Sequence, residues 1–246
     1  MEKISLERIH AHSIDSNTMN TQLKDLYESV LSSYGKNWRD HYDKQPDEEH
    51  GDFPTNPYFI TVQDAYYNAG RRIMVIGQET LSWGGEFGKD GGFSLERNVD
   101  ELMNLYDICI KDERLKTTFW QFGRAIAKAS DAQVIFNNIA KVGWCNKRGF
   151  LPSLQPRILK KEIEITKPDL LVFTTGPSEQ YMQELNQNGI CPSGRESLVS
   201  IDGKAYAEIW EGVSVPTIWC YHPRYLSIRK VIKSVREKAA EYIASL

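Results

Sequence analysis

Ile73-Met74-Val75-Ile76-Gly77-Gln78-Glu79 is an unbroken apolar run that stops abruptly at a glycine, an amide and a carboxylate. Apolarity that continues rather than alternates marks a strand covered on both faces, as in a parallel sheet. Three further runs have the same form: Val134-Ile135-Phe136, Leu170-Leu171-Val172-Phe173 and Pro216-Thr217-Ile218-Trp219-Cys220. Between them lie segments with apolar residues at helical spacing, at 97–110, 117–130, 155–166 and 178–188, and a last one follows at 228–245. Strands alternating with helices predict right-handed crossovers and a three-layer α/β/α sandwich around a short, mainly parallel four-stranded sheet. Asp202-Gly203, at the centre of residues 199–206, predicts an added hairpin.

Upstream, Leu23, Leu26, Tyr27, Val30, Leu31 and Tyr34 predict an amphipathic helix over 21–34, capped at Asn20 or Thr21. Residues 36–57 are polar and acidic with three prolines, which predicts a long loop or arm. The expected organisation is an N-terminal extension over 1–57 packed on an α/β domain over 58–246.

The chain has 246 residues, is 41% hydrophobic and 26% charged, and carries a formal charge of −3. These values fit one large globular α/β domain and argue against a strongly electrostatic nucleic-acid binder. The charge is uneven. Residues 1–70 hold 6 Lys/Arg against 12 Asp/Glu, residues 141–167 hold 7 against 2, and residues 222–238 hold 6 against 1. The two basic stretches read either as solvated helix faces or as a phosphate-contacting rim, and the acidic arm over 40–52 as a cover for that rim. Cys109, Cys145, Cys191 and Cys220 are far apart without C-x-x-C spacing, so neither a metal nor a cofactor is expected. With no signal-peptide core and no apolar run of spanning length, a cytoplasmic, monomeric protein is expected, without a membrane partner.

In open α/β sheets ligands bind outside the carboxyl ends of the strands. Each apolar run here ends in hydrogen-bonding residues, which would bring Glu79, Asn138, Thr175 and His222 to one edge. Asn137 and Asn138 should point to opposite faces, and Asn138 is taken for the site. Glu79 and His222 could instead serve the backbone, as a cap and as a structural histidine.

Several of these segments carry a resemblance. Gly77-Gln78-Glu79 after a buried strand resembles the Gly-Gln-Asp-Pro-Tyr motif of the uracil-DNA glycosylase-like superfamily, and Gly92-Phe93-Ser94 resembles its base-stacking segment. Asn138-Ile139-Ala140-Lys141 is similar to the base-reading asparagine segment. Lys167-Pro168-Asp169 resembles the lead-in to the third strand, and His222-Pro223-Arg224-Tyr225-Leu226-Ser227 resembles the His-Pro-Ser-Pro-Leu-Ser loop. The likeness covers about residues 70–230 and describes a divergent member.

The resemblance implies base flipping from DNA and hydrolysis of an N-glycosidic bond at a damaged or deaminated base, without a cofactor. Under it, Glu79 and His222 are catalytic, and Gln78, Phe93, Asn138 and Thr175 meet the base. Leu226 is the wedge that fills the vacated stack, Lys141, Arg224 and Arg229 meet phosphates, and Trp83 is a second stacking candidate. Glu79-Thr80-Leu81 replaces the family's Asp-Pro-Tyr, so the tyrosine that excludes thymine is absent. The alternative is a protein on the same fold that binds a nucleobase, a nucleotide or a partner without cleaving it.

Overall fold

The computed structural model describes residues 15–44, 53–80, 83–84, 99–111, 115–145 and 147–246. In chain order these form α1 (Ser16–Tyr42), α2 (Asp64–Tyr67), β1 (Arg72–Glu79), α3 (Val99–Lys111), α4 (Thr118–Ala129), β2 (Gln133–Ala140), α5 (Leu159–Thr166), β3 (Leu170–Phe173), α6 (Glu179–Gln187), β4 (Gly194–Ile201), β5 (Lys204–Glu211), β6 (Thr217–Cys220), α7 (Pro223–Ile228) and α8 (Ile232–Ser245).

The sheet is mixed and has six strands in the order β2-β1-β3-β6-β5-β4. The four apolar runs are its parallel part, β2-β1-β3-β6. The expected four-stranded sheet is therefore too small. The β4–β5 hairpin does not stand apart from the sheet but extends it, because β5 pairs antiparallel with β6 along Ala207–Trp210. Its turn is built as the Asp-Gly pair requires, with positive φ at both Asp202 (51°) and Gly203 (76°).

Alternation along the strands feeds two cores. Ile73, Val75, Leu170, Val172 and Ile218 join the side chains of α4 and α8 on one face. Met74, Ile76, Leu171, Phe173 and Trp219 join those of α1, α3, α5 and α6 on the other. Both faces of the parallel strands are covered, which is why these runs are apolar at every position.

The helix at the N-terminus is longer than its apolar spacing predicts. Asp15, rather than Asn20 or Thr21, caps it by accepting the Thr18 N–H at 2.7 Å. It also runs past residue 36, where a loop was expected, because Trp38 is fully buried and its indole N–H donates to the Leu154 carbonyl at 2.9 Å. Met19, Leu23, Tyr27 and Val30 lie in the same core as β1 and β3, so α1 is part of the domain's packing. The rest of the expected arm divides. Residues 45–52, most of its acidic part, lie outside the described residues, whereas Phe53–Ile60 is buried. This buried segment pairs with the chain beyond β2, through Thr55 N–H to the Gly143 carbonyl (2.9 Å) and Tyr58 N–H to the Lys141 carbonyl (2.8 Å). It thereby satisfies backbone groups of the chain that continues from β2. Among the described residues no helix is long and apolar enough to cross a membrane.

Candidate functional site

A cleft of about 620 Å³ opens at the carboxyl ends of β1 and β2. Gln78 and Glu79 from β1, Asn138 from β2, and His222 and Arg224 at the start of α7 all line it, with Tyr58, Trp83, Phe119 and Arg148. Glu79, Asn138 and His222 thus meet at one cleft.

Asn138 is 8% exposed. Its backbone N–H donates to the Asn137 side-chain oxygen at 2.8 Å, while its own side-chain amide has no hydrogen-bond partner among the described residues. Its amide lines the open cleft, where a ligand's polar edge would satisfy both its donor and its acceptor. Gly77 makes room for it. A Cβ at position 77 would sit 2.4 Å from Asn138 Oδ1 and 3.1 Å from the Phe119 ring. Gly77→Ala is therefore expected to turn the Asn138 amide out of place and abolish ligand recognition while leaving the fold intact. Melting temperature and ligand titration check this together, and undiminished binding by the alanine variant would refute it.

Asn137 does point away from the cleft, as strand alternation requires. It belongs to a buried cluster in which its Nδ2 donates to Glu162 at 3.0 Å and its oxygen accepts from Lys141 Nζ. Lys141 pairs with Glu162 at 2.5 Å, and the Tyr27 hydroxyl of α1 donates to the other Glu162 oxygen at 2.7 Å. Lys141 is 1% exposed, which removes it from any phosphate-contacting rim. Burial pushes its ammonium pKa down and Glu162 opposes that shift. The cluster instead fixes Asn137, and through it the backbone of Asn138.

Glu79 is held by two donors, the Tyr181 hydroxyl on one oxygen and the Gly149 N–H on the other at 3.3 Å. Burial, and then the adjacent Glu79, push the Tyr181 phenol pKa well up, so it remains a donor. Gln78 donates to the Thr175 carbonyl at 2.8 Å. Thr175 itself is fully buried and its hydroxyl accepts from Trp219 Nε1 at 3.1 Å, so it braces Gln78 and does not meet a ligand, contrary to expectation.

His222 caps α7, with Pro223 in the first helical position. Its Nδ1 accepts the Arg224 N–H at 3.3 Å, which assigns the proton of the neutral ring to Nε2. Burial, helped by Arg148 and Arg224, lowers its pKa to about 4. Because this lies below the ordinary value of 6.5, the stability gained from the neutral ring is complete above about pH 6.5 and is lost as pH falls through about 4. An NMR titration of the ring should give a midpoint near 4, and a midpoint near 6.5 would overturn this assignment.

Two wall residues had no signal in the strand-end pattern. Phe119 stands in the first turn of α4, and Arg148 lies in the segment between β2 and α5. Phe119 is in ring contact with Phe136 at 5.5 Å and lines the cleft. Lys116, Thr117 and Thr118 join it there, so the positive end of the α4 dipole and three cations, Lys116, Arg148 and Arg224, surround the cleft. Trp83 lines the cleft as expected and packs on Tyr58 at 4.5 Å. Phe93, the first stacking candidate, lies outside the described residues.

Leu226 is wholly buried in the core beneath α7, so it is not a surface wedge. Its place in the helix turns it inward, while Arg224 and Arg229 remain exposed. Among the described residues no group of three or more His, Cys, Asp and Glu side chains is placed to hold a metal.

Compared with known proteins, the chain matches no family model and no curated relative.

Proposed function

We propose that the cleft takes a nucleobase turned out of a DNA strand, and that the chain is a uracil-DNA glycosylase-like hydrolase of its N-glycosidic bond. The observation that carries this reading is Asn138, whose side-chain amide has no hydrogen-bond partner among the described residues and lines the same cleft as a neutral His222. A pyrimidine imide edge offers the complementary acceptor and donor. The Nε2–H of His222 would donate to a base oxygen as negative charge builds on it. A neutral imidazole suits that task because it stabilises the charge without giving its proton away. Glu79, fixed by Tyr181 and Gly149, would offset positive charge on the sugar and orient a water. The bond from the sugar carbon to the base nitrogen breaks, the water oxygen joins the sugar, and its proton goes to the departing base. Phe119 supplies an aromatic wall of the kind a flipped base stacks on. The same reading takes the chain as cytoplasmic.

Burial of Leu226 and Lys141 favours a second reading, recognition of a free nucleobase or nucleotide without cleavage, because both residues would have served strand binding. A base-release assay separates the two. Oligonucleotides bearing uracil, hypoxanthine or xanthine, single- and double-stranded, are incubated with wild type and with Asn138→Ala, Glu79→Ala and His222→Ala. Alkali-labile sites made by wild type and lost in the variants support the hydrolase. No release by folded protein, together with saturable nucleotide binding, supports the second reading.

A further inference from the structure

Beside the cleft, three tyrosines from three parts of the chain form a half-exposed ladder. Tyr206 lies on β5, Tyr221 follows β6, and Tyr225 lies on α7. Tyr221 and Tyr225 stack at 4.8 Å with 23° between their planes, and Tyr206 stands 5.8 Å from Tyr221. Lys204 Nζ lies over all three rings, at 4.8 Å from that of Tyr221, and donates to the Tyr225 hydroxyl at 3.1 Å. Arg229 donates to the same hydroxyl at 3.1 Å and lies over the Tyr225 ring. Lys204, Arg224 and Arg229 are exposed. Among the described residues no carboxylate pairs with Lys204 or Arg229, and their only close electrostatic partners are tyrosines. The ladder is continuous with the cleft through the chain, because Tyr221 precedes His222 and Tyr225 follows Arg224, and both His222 and Arg224 line it.

Packing alone does not call for half-exposed aromatic rings crowned by cations that have no carboxylate partner among the described residues. That combination matches the two chemistries of an unpaired nucleic-acid strand, flat base faces that stack on aromatic rings and phosphates that meet cations. Bases within a duplex are already stacked on one another and cannot use such a surface. We infer that Lys204, Tyr206, Tyr221, Tyr225, Arg224 and Arg229 form a binding surface for single-stranded nucleic acid leading into the cleft. The inference deepens the base-excision reading by naming the strand form, and rests on it only for what happens once the strand is bound. Lys204 is the movable part. Its ammonium leaves the ring faces for a phosphate as a base takes its place.

The test uses undamaged oligonucleotides of roughly 12 nucleotides, labelled at one end, read by fluorescence anisotropy against the full-length protein. The probe carries no excisable base, so the result is independent of whether base release occurs. The single strand should bind at least about tenfold more tightly than the same sequence as a duplex. Tyr225→Ala and Tyr206→Ala should each weaken single-strand binding by about tenfold, and Tyr225→Phe, which keeps the ring, by no more than about twofold. Lys204→Gln should lower the slope of log affinity against log salt by about 0.7, the share of one single-strand phosphate. Thermal melts report whether each variant is folded, and because Tyr206 and Tyr225 lie on different elements, one serves if the other unfolds. Equal affinity for duplex and single strand, or folded tyrosine-to-alanine variants that bind like wild type, would overturn the inference. Base release that persists in such variants would do so while leaving the excision reading standing.

Discussion

Lys141→Ala is expected to destabilise the protein by about 3–5 kcal/mol, the cost of breaking one half of a buried ion pair. The ammonium is 1% exposed, sits 2.5 Å from the wholly buried Glu162 carboxylate and also donates to Asn137. Removing it leaves Glu162 with the Tyr27 hydroxyl and the Asn137 amide as its side-chain donors among the described residues, an uncompensated charge in a buried place. For a chain of this length such a loss corresponds to a fall of about 10 °C in melting temperature. The variant Lys141→Met with Glu162→Leu removes both charges and should recover much of the loss, since desolvation offsets most of what the pair contributes. Denaturant melts of the two singles and the double give the coupling directly. A cost below about 1 kcal/mol for Lys141→Ala would mean that the pair is not formed as described. The same variant should also disturb the cleft, because Lys141 holds Asn137 and Asn137 holds the Asn138 N–H.

Removing the Asn138 side chain or the His222 ring should each cost about a hundredfold to a thousandfold in the rate of base release, the range for losing one preorganised donor at a developing charge. The two losses should differ in kind. His222 acts on charge that exists only in the transition state, so His222→Ala should lower kcat and kcat/KM together. Asn138 reads the base edge before and during reaction, so Asn138→Ala should also raise KM. Asn138→Asp keeps the size but removes the amide donor, and should behave like alanine on an imide base. Neither alanine change should greatly affect folding, since the Asn138 amide has no partner among the described residues and His222 gives up only its contact to the Arg224 N–H. A folded Asn138→Ala protein that releases base within about threefold of wild type would remove the ground for the hydrolase assignment.

The sequence by itself determined the parallel strands and the edge where the cleft lies. Both are local properties. An apolar run covered on two faces must be apolar at each position, and the residue that ends it must satisfy polar groups, so Gly77-Gln78-Glu79, Asn138 and His222 are visible without a fold. The Asp202-Gly203 turn was legible for the same reason, since its backbone demands those residues. Only the tertiary structure decided the rest. It joined the hairpin to the sheet, carried α1 past Gly35 to bury Trp38, and brought Phe119 and Arg148, from the segments on either side of β2, to the cleft at the ends of β1 and β2. It also buried Lys141 and Leu226, which a basic stretch and a loop likeness had placed at the surface. Charge and spacing along a chain do not record which side of an element meets the core. That is fixed by what packs opposite it, here Glu162 from α5 for Lys141 and the helical core of α4 and α8 for Leu226.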